Sequence, residues 1–295
     1  MKIRISVGRI IFQIVNHTVL VALALSALLP FLYVIAVSLV DPADYAVTGV
    51  IFPPRSLSLY NYIVMLGPGS RLFGAYGVTL FITVVGTAIS LLLTSGVAYA
   101  LSKKDLPLRR TLTLMIFFTM IFSGGLIPTF LVVRNTGLMN TVWSVIIPGA
   151  VVPWYMFIMR NYFMSIPSSI EESAKIDGAN DIFIMFRIIW PISMPVLACV
   201  GLFYATDRWN EWFFAMLYIN DPSIFPIQLV LRNIISMTTM HALDPGAMSD
   251  RFGVMPPSDL IQSTAIIIAI LPIMFVYPFV QRYFAQGIMI GAIKG

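Results

Sequence analysis

Six long apolar segments, separated by shorter polar ones, dominate the pattern of this 295-residue chain. Each reaches the roughly 20 residues that a helix needs to cross a lipid bilayer. The apolar residues are continuous within each segment instead of alternating with polar ones, which favours helices over the strands of a membrane barrel. The segments lie at about 10–40, 75–101, 111–133, 142–162, 188–219 and 260–284. The pattern therefore predicts an all-α, polytopic membrane protein with six transmembrane helices.

The polar stretches predict how these spans are organised. Residues 1–40 form an N-terminal tail and first transmembrane helix, since the apolar run is longer than the 7–15 residues typical of a signal peptide. Residues 41–74 form an outer loop, and residues 75–295 form a core of five spans. Within that core we expect an outer loop at about 220–260 and a C-terminal tail at 285–295. Pro191 and Pro195 should break the fifth span near its start, because proline cannot donate a helix hydrogen bond.

Composition supports a membrane protein and disfavours a metal site. The chain is 59% hydrophobic and only 11% charged, against about 25% charged residues in soluble domains. Cys199 is the single cysteine, so an intrachain disulfide is excluded. One cysteine and two distant histidines, His17 and His241, do not fit the ligand sets of structural zinc, so we expect no metal.

The basic residues are concentrated on one predicted side of the membrane, which orients the chain with both termini in the cytoplasm. We therefore ascribe the net charge of +5 to topology, and expect no nucleic-acid partner. Twelve Lys and Arg lie on the predicted cytoplasmic side: Lys2, Arg4, Arg9, Lys103, Lys104, Arg109, Arg110, Arg160, Lys175, Arg187, Arg282 and Lys294. Five lie on the predicted outer side: Arg55, Arg71, Arg134, Arg232 and Arg251.

The most polar stretch of the chain is Glu171–Asp177, between the fourth and fifth spans. Ser168 followed by Glu171 is a capping-box pattern, which predicts a helix start, and Gly178 is suited to a helix end. A helix of about ten residues is marginal by itself, which suggests that something holds it. A solvated connector without a partner is the alternative interpretation.

A second polar cluster lies inside the fifth span. Charged side chains in a span should face a bundle interior or a water-filled path, and indole faces are of the sort that stack on sugar rings. The cluster is therefore either the lining of a substrate path or a polar clamp between helices, in which Arg208 pairs with Asp207 or Glu211. Its members are Asp207, Arg208, Trp209, Asn210, Glu211 and Trp212.

Residues 172–191 resemble the EAA loop of bacterial ABC importer permeases. That pattern is Glu-Ala-Ala, three residues, Gly, nine residues, and Ile-x-Leu-Pro. Here Glu172-Ser173-Ala174 is followed by Gly178, and then by Ile188, Trp190 and Pro191. Ser173 and Trp190 depart from the pattern, whereas Ala174, Gly178 and Pro191 keep their places.

Other segments extend the resemblance to nearly the whole chain, and the maltose-type (MalG-like) carbohydrate permeases are the kind it most resembles. Trp209-Asn210-Glu211-Trp212 is similar to that family's Trp-Asn-(Glu/Asp)-Phe. Phe122–Pro128 resembles the LplC/YtcP-like branch, which is associated with import of oligosaccharides or polysaccharide fragments.

This resemblance implies a MetI/MalG-like permease core around a translocation path in the bacterial cytoplasmic (inner) membrane. It implies a second, homologous permease subunit, an ABC ATPase dimer and an extracytoplasmic solute-binding protein as partners, besides membrane lipid and an oligosaccharide substrate. A cytoplasmic coupling helix at about 168–182 would dock on the ATPase. Its residues are Glu171, Glu172, Ala174, Asp177 and Gly178.

The chain contains no Gly-Lys pair, so a phosphate-binding loop of the GxxxxGK[ST] type is excluded. We therefore expect a transport subunit and not an enzyme, without a cofactor of its own, while ATP and Mg bind the partner ATPase. An ABC permease for a non-sugar solute is the first alternative. A secondary transporter is the second, but it would need internal inverted repeats, which the sequence does not display.

Overall fold

The computed structural model describes residues 7–48, 56–67, 70–243 and 257–292. Every regular element in these ranges is a helix, so the all-α prediction is confirmed. Parts of both predicted outer loops, 49–55 and 244–256, lie outside the described residues. Residues 1–6 and 293–295 at the termini also lie outside the described residues. These loop and terminal segments contain five of the basic residues used to predict the topology: Lys2, Arg4, Arg55, Arg251 and Lys294.

The described ranges contain fifteen α-helices, one π-helical turn and one 3₁₀ turn, joined by connecting segments. The helices before the long polar segment are α1 Val7–Ser38, α2 Pro42–Thr48, α3 Tyr60–Leu66, α4 Leu72–Ser102, α5 Arg109–Ile121, α6 Leu126–Asn135, α7 Trp143–Ile146 and α8 Pro153–Met164. The remainder are α9 Ser168–Ile176, α10 Asp181–Ile184, a π turn Met185–Ile189, α11 Trp190–Ile192, α12 Met194–Trp209, α13 Phe213–Tyr218, a 3₁₀ turn Pro222–Ile224, α14 Ile227–Leu243 and α15 Ser258–Ala292.

Three helices of the described chain are long and apolar enough to cross a membrane: α1, α4 and the first part of α15. The number rises to five if the bent pair α5 and α6, and the bent pair formed by Asp181–Ile192 and α12, each count as one span. The fourth predicted span, 142–162, is divided between α7 and α8. The six-span count therefore stays a prediction.

The chain packs as two compact units, of which the first comprises residues 1–70 and 233–272. Its small core lies at the end of α1, where Val37 and Val40 are buried with Leu260. The buried Asn61 donates to the carbonyl oxygens of Ser38 at 3.1 Å and Val40 at 3.0 Å, and so satisfies groups that the end of α1 leaves unpaired. Residues 8–33 of α1, by contrast, are exposed on every face.

The second unit comprises residues 71–232 and 273–295, and its core lies where α4 packs against α8 and α12. Tyr204 on α12 is 1% exposed. Its hydroxyl is 2.7 Å from the Thr94 hydroxyl on α4 and accepts the Val152 N–H, at the start of α8, at 2.9 Å. The buried Tyr204 therefore links the three helices. Its hydroxyl lies within an apolar core, and these two hydrogen bonds satisfy it.

The third predicted span, 111–133, is not one continuous helix. α5 and α6 meet at an angle of 115° across the break at residues 122–125. Gly125 has a φ of +89°, which is open to glycine but strained for other residues, so the Gly124-Gly125 pair allows the bend. The glycines were visible in the sequence, but the uninterrupted apolar pattern on both sides of them concealed the break.

The fifth span is broken near its start, as the two prolines predicted. Asp181–Ile192 and α12 meet at 88°, with Pro191 and Pro195 on either side of the break. The helix before Pro191 widens into the π turn Met185–Ile189. Proline lacks the N–H that would complete the preceding α-helical turn, and a π turn is a common local adjustment.

Two segments that the sequence assigned to a loop and a tail contain helix. The predicted outer loop at 220–260 contains α14, whose apolar side chains Ile227, Leu229 and Leu231 are buried. The predicted tail at 285–295 continues α15 as far as Ala292, and residues 293–295 lie outside the described range. The predicted positions of both segments outside the membrane stay predictions.

Candidate functional site

The end of α12 and the turn that follows it form one wall of a cavity of about 550 Å³ in the second unit. The opposite wall comes from residues 144–152, in α7 and the segment before α8, and Thr129 of α6 also lines the cavity. Five of the six residues of the predicted polar cluster line this cavity: Asp207, Arg208, Asn210, Glu211 and Trp212. Phe213, Phe214 and Tyr218 add aromatic surface to it. The cavity therefore combines carboxylates, an amide and aromatic rings.

Arg208 stabilises the wall of the cavity opposite its own helix. The side chain is 6% exposed, and its guanidinium donates to the carbonyl oxygens of Val145, Ile146 (2.9 Å) and Gly149 (2.8 Å). These carbonyls lie where the helix breaks between α7 and α8, and a break at membrane depth must have its backbone groups satisfied. Pro153 cannot donate to Gly149 because it has no N–H.

Arg208 therefore links helices, as the clamp interpretation of the polar cluster predicted, but its partners are not the predicted carboxylates. Arg208 forms no ion pair with Asp207 or Glu211 within the described residues, and binds backbone carbonyls instead. Gly86 and Gly149 both face the guanidinium, and a methyl group added at either would lie 3.4–3.5 Å from its nitrogens. Larger side chains at these glycines would displace Arg208.

The two carboxylates of the cavity are held by hydrogen-bond donors. Asp207 accepts the Tyr155 hydroxyl at 2.8 Å, and Glu211 accepts the Phe214 backbone N–H, at the start of α13, at 2.8 Å. Asp207 is exposed, while Glu211 is half-buried. These bonds orient the two carboxylates, and the exposed Asp207 keeps acceptor capacity for a ligand hydroxyl.

The two tryptophans of the predicted cluster differ from the expectation that both offer a face to sugar rings. Trp209 is 7% exposed, does not line the cavity, and packs near Tyr76 with ring centroids 6.3 Å apart. Trp212 does line the cavity, but the guanidinium of Arg232 covers one face of its ring at 3.6 Å. Phe213 and Phe214 are exposed, so they offer better stacking surfaces than Trp209.

The predicted coupling segment contains the helix α9, Ser168–Ile176, which begins without the predicted capping box. Pro167 occupies the N-cap position, and no side chain caps the helix. Glu171 instead forms an ion pair with Lys103, whose ammonium also lies 3.8 Å from the ring centroid of Tyr99. Ala174 is buried in the main core of the unit. Glu171 and Ala174 therefore fix the inner face of α9 to the end of α4.

α9 ends earlier than the predicted boundary of 182, at a complete Schellman motif. Gly178 has a φ of +83°, its N–H bonds to the carbonyl of Lys175 at 3.0 Å, and the Ala179 N–H bonds to the carbonyl of Ala174 at 3.0 Å. Lys175 and Asp181 form an ion pair of 3.2 Å across the turn. The backbone thus favours glycine at this position, as the sequence suggested.

The outer face of α9 and the next turn of helix form an exposed surface with both apolar and acidic groups. Ile176 is 87% exposed, and Ile182 and Phe183 of α10 are 71% and 52% exposed. Glu172 and Asp177 are exposed beside them. Of the five predicted coupling residues, therefore, Glu172, Asp177 and Gly178 face outward while Glu171 and Ala174 face inward.

Sequence reasoning missed several residues that line the cavity, among them Tyr204, Phe213 and Phe214, and also Tyr155, which donates to Asp207. Tyr155 lies 52 residues before Asp207, so no local pattern joins these two residues. Tyr204, which meets Tyr155 edge to face at 4.9 Å, lies one helical turn before Asp207, so helical spacing could have found it. Phe213 and Phe214 directly follow the predicted cluster and could have been included in it. Within the described residues, no three His, Cys, Asp or Glu side chains converge as metal ligands do.

Comparison with known proteins shows which family the chain belongs to. Residues 93–290 match the family described as binding-protein-dependent transport system inner membrane component. The chain belongs to this family. It is therefore a multi-pass permease of the inner membrane, and contributes to transport without being an enzyme.

Individual relatives align in sequence with nearly the full length of the permease. It is 41% identical over 287 residues to YtcP of Bacillus subtilis (strain 168), a permease protein of a polygalacturonan/rhamnogalacturonan transport system, covering 97% of this chain and 99% of that protein. It is 41% identical over 290 residues to protein LplC of the same organism, covering 98% and 96%. The resemblance to the LplC/YtcP-like branch is thus confirmed.

A solved structure agrees with the fold of the permease. A bacterial ABC transporter involved in the import of the acidic polysaccharide alginate contains a chain that superposes with a TM-score of 0.83. That chain is 34% identical, and the match covers 95% of this permease and 98% of that chain. The expected permease architecture is therefore confirmed.

Proposed function

We propose that this permease forms half of the translocation path of an ABC importer for an oligosaccharide or a polysaccharide fragment. The other half would come from a second, homologous permease subunit. The observation that carries the proposal is the cavity at the end of α12. There Asp207, Asn210 and Glu211 stand beside exposed aromatic rings, and oriented hydrogen-bonding groups next to flat apolar surfaces suit sugar hydroxyls and sugar ring faces respectively.

The substrate class draws support from the relatives. One of them belongs to a polygalacturonan/rhamnogalacturonan transport system, and the structural neighbour takes part in alginate import. Both names describe polysaccharides. The candidate cargoes are accordingly saccharide chains, with maltose-type, uronic-acid and rhamnogalacturonan-like fragments as the possibilities.

The same proposal assigns α9 as the coupling helix. Its inner face is held to α4 by the Lys103–Glu171 ion pair and by Ala174, so a displacement of α9 would be passed to α4. Its outer face presents Ile176 and Glu172. An exposed isoleucine within a polar rim is typical of a surface that docks into a partner. The partner would be the ABC ATPase dimer, which would bind the ATP and Mg.

Further partners and the orientation belong to the proposal. An extracytoplasmic solute-binding protein would deliver the substrate, and membrane lipid would cover the exposed faces. Both termini would lie in the cytoplasm, because the basic residues cluster on the side that carries α9. The exposed residues 8–33 of α1 are suited to packing against the second permease subunit.

Uptake by the reconstituted importer tests the proposal. The tagged permease, copurified with its ATPase and second permease subunit, would be placed in proteoliposomes, and ATP-dependent uptake of labelled oligosaccharides would be followed. Neutral and uronate-containing oligosaccharides, supplied with the binding protein, cover the candidate cargoes. Glu211→Gln should slow uptake severalfold, whereas Glu172→Gln on α9 should leave the oligosaccharide affinity unchanged.

Two outcomes would contradict the proposal. Copurification without an ATPase, together with ATP-independent uptake, would indicate a secondary transporter. Binding-protein-dependent uptake of a solute other than a saccharide would retain the importer and refute the substrate class.

A further inference from the structure

Two arginines from different helices converge on one backbone oxygen at the end of α4. Arg109 Nε donates to the carbonyl oxygen of Leu101 at 2.9 Å, and Arg160 Nε donates to the same oxygen at 3.0 Å. Leu101 lies in the last turn of α4, where carbonyls lack intrahelical partners. The carbonyl accounts for one donor on each guanidinium, which has five N–H donors.

No carboxylate of the described chain neutralises this pair. The ion pairs in the described ranges are Lys103–Glu171 and Lys175–Asp181, and neither includes Arg109 or Arg160. Arg109 Nη2 lies 3.5 Å from the thioether sulfur of Met164, which is a weak acceptor. Two cations that share one neutral oxygen repel each other unless an anion lies between or beside them.

The surface next to the pair is apolar and exposed. Arg109 is the first residue of α5, and no residue of that helix is buried. Leu112, Leu114 and Met115 follow within two turns and are all exposed. The guanidinium groups thus lie at the base of an apolar helix, next to the exposed Lys104 and Arg110. Such a border between cationic and apolar surface is where lipid headgroups meet protein.

We propose that Arg109 and Arg160 bind the phosphate of an anionic phospholipid, whose acyl chains lie along α5. A phospholipid matches both parts of the surface, since its phosphate pairs with the guanidinium groups and its chains cover the apolar residues above them. An acidic protein surface or a free phosphate would match the cations alone. That the lipid belongs to the cytoplasmic leaflet rests on the proposed orientation, whereas the binding itself does not.

The position of the site links it to α9. Leu101 stands two residues before Lys103, and Lys103 pairs with Glu171 of α9. A headgroup bound to Arg109 and Arg160 would therefore brace the end of α4 on which the inner face of α9 rests.

Lipid titration of the intact complex tests this proposal. The full permease, copurified with its partner subunits in a neutral detergent, is titrated with phosphatidylglycerol or phosphatidylcholine, and bound lipid is measured by native mass spectrometry. The test variant is Arg109→Gln with Arg160→Gln. The control is Arg134→Gln with Arg187→Gln, which removes the same charge from two exposed positions. We expect a loss of phosphatidylglycerol affinity of about 20-fold in the test variant and a loss below about twofold in the control.

A second measurement uses the unmodified protein, so it does not depend on how the variants fold. A photoactivatable phosphatidylglycerol should label peptides that contain residues 101–115 or 160–164, and excess inorganic phosphate should not reduce the labelling. Labelling elsewhere, or equal affinity in the test variant and the parent, would overturn the proposal. Equal losses in the test and control variants would indicate general surface charge, and competition by inorganic phosphate would indicate a free-anion site; both outcomes overturn it. Loss of the ATPase subunit with unchanged lipid affinity would assign the arginines to a protein contact, and would also overturn it.

Discussion

Arg208 and Gly149 are joined by a hydrogen bond of 2.8 Å, in which the guanidinium donates to the carbonyl that Pro153 leaves without a helical partner. The break between α7 and α8 is therefore completed by a side chain from another helix. This relationship explains why a charged residue is tolerated inside an apolar core. It also separates Arg208, which holds the cavity wall, from Asp207 and Glu211, which face the cavity.

Replacing Arg208 should destabilise the permease. Arg208→Met would leave three carbonyls unpaired at the break, at a cost of about 3 kcal/mol or more. Arg208→Lys should recover only part of this loss, because one ammonium cannot reproduce the planar fork. Thermal unfolding of the purified complex in detergent measures both, and Arg187→Met, at an exposed position, is the control. An unchanged unfolding temperature for Arg208→Met would contradict the role assigned to these bonds.

Glu171 and Glu172 are adjacent in sequence but should behave differently, because Glu171 is paired with Lys103 and Glu172 is exposed. Glu171→Gln should lower stability by about 1 kcal/mol, as expected for a partly exposed ion pair. Glu172→Lys should leave stability unchanged and reduce the oligosaccharide imported per ATP hydrolysed. Unfolding temperatures and parallel uptake and ATPase assays give the two quantities. The assignment of the faces of α9 is wrong if the effects are exchanged.

Gly178 should tolerate asparagine better than valine. Its φ of +83° is costly for a β-branched residue, by roughly 1–2 kcal/mol, whereas asparagine visits this region more readily. The space around its Cβ position is open, so side-chain size should matter little. We expect Gly178→Val to impair coupling and Gly178→Asn to retain most of it, as judged by the same uptake and ATPase assays. Equal impairment would indicate that α9 is sensitive to bulk at its docking surface instead.

Asp207→Asn and Glu211→Gln should slow uptake more than Trp209→Phe does, because Trp209 does not line the cavity. A several-fold rise in the substrate concentration for half-maximal uptake is expected for the two carboxylate variants, with near-normal stability. Tyr155→Phe, which removes the donor to Asp207, should resemble a weaker form of Asp207→Asn. If Trp209→Phe has the largest effect, the path must run on the other side of α12.

The largest differences between prediction and structure lie where the chain breaks a helix. The two prolines of the fifth span marked its break correctly, because their effect on the backbone is local and strong. The third span was predicted as continuous, since the apolar residues before and after Gly124 and Gly125 masked their meaning. Ser168 and Glu171 formed a valid capping pattern, but Lys103, 68 residues away from Glu171 in sequence, competes for that carboxylate.

The order of residues alone determined that the chain is helical, crosses a membrane, favours a glycine at position 178, and belongs among importer permeases. These conclusions rest on hydrophobic continuity, backbone conformational freedom and motif spacing, all of which are local properties. Only the tertiary structure decided that Arg208 binds carbonyls instead of carboxylates, that Trp209 turns away from the cavity, and that Glu171 faces inward while Glu172 faces outward. Each of these depends on which distant group the fold places next to a side chain. A buried charge or donor bonds to the partner that packing brings within about 3 Å.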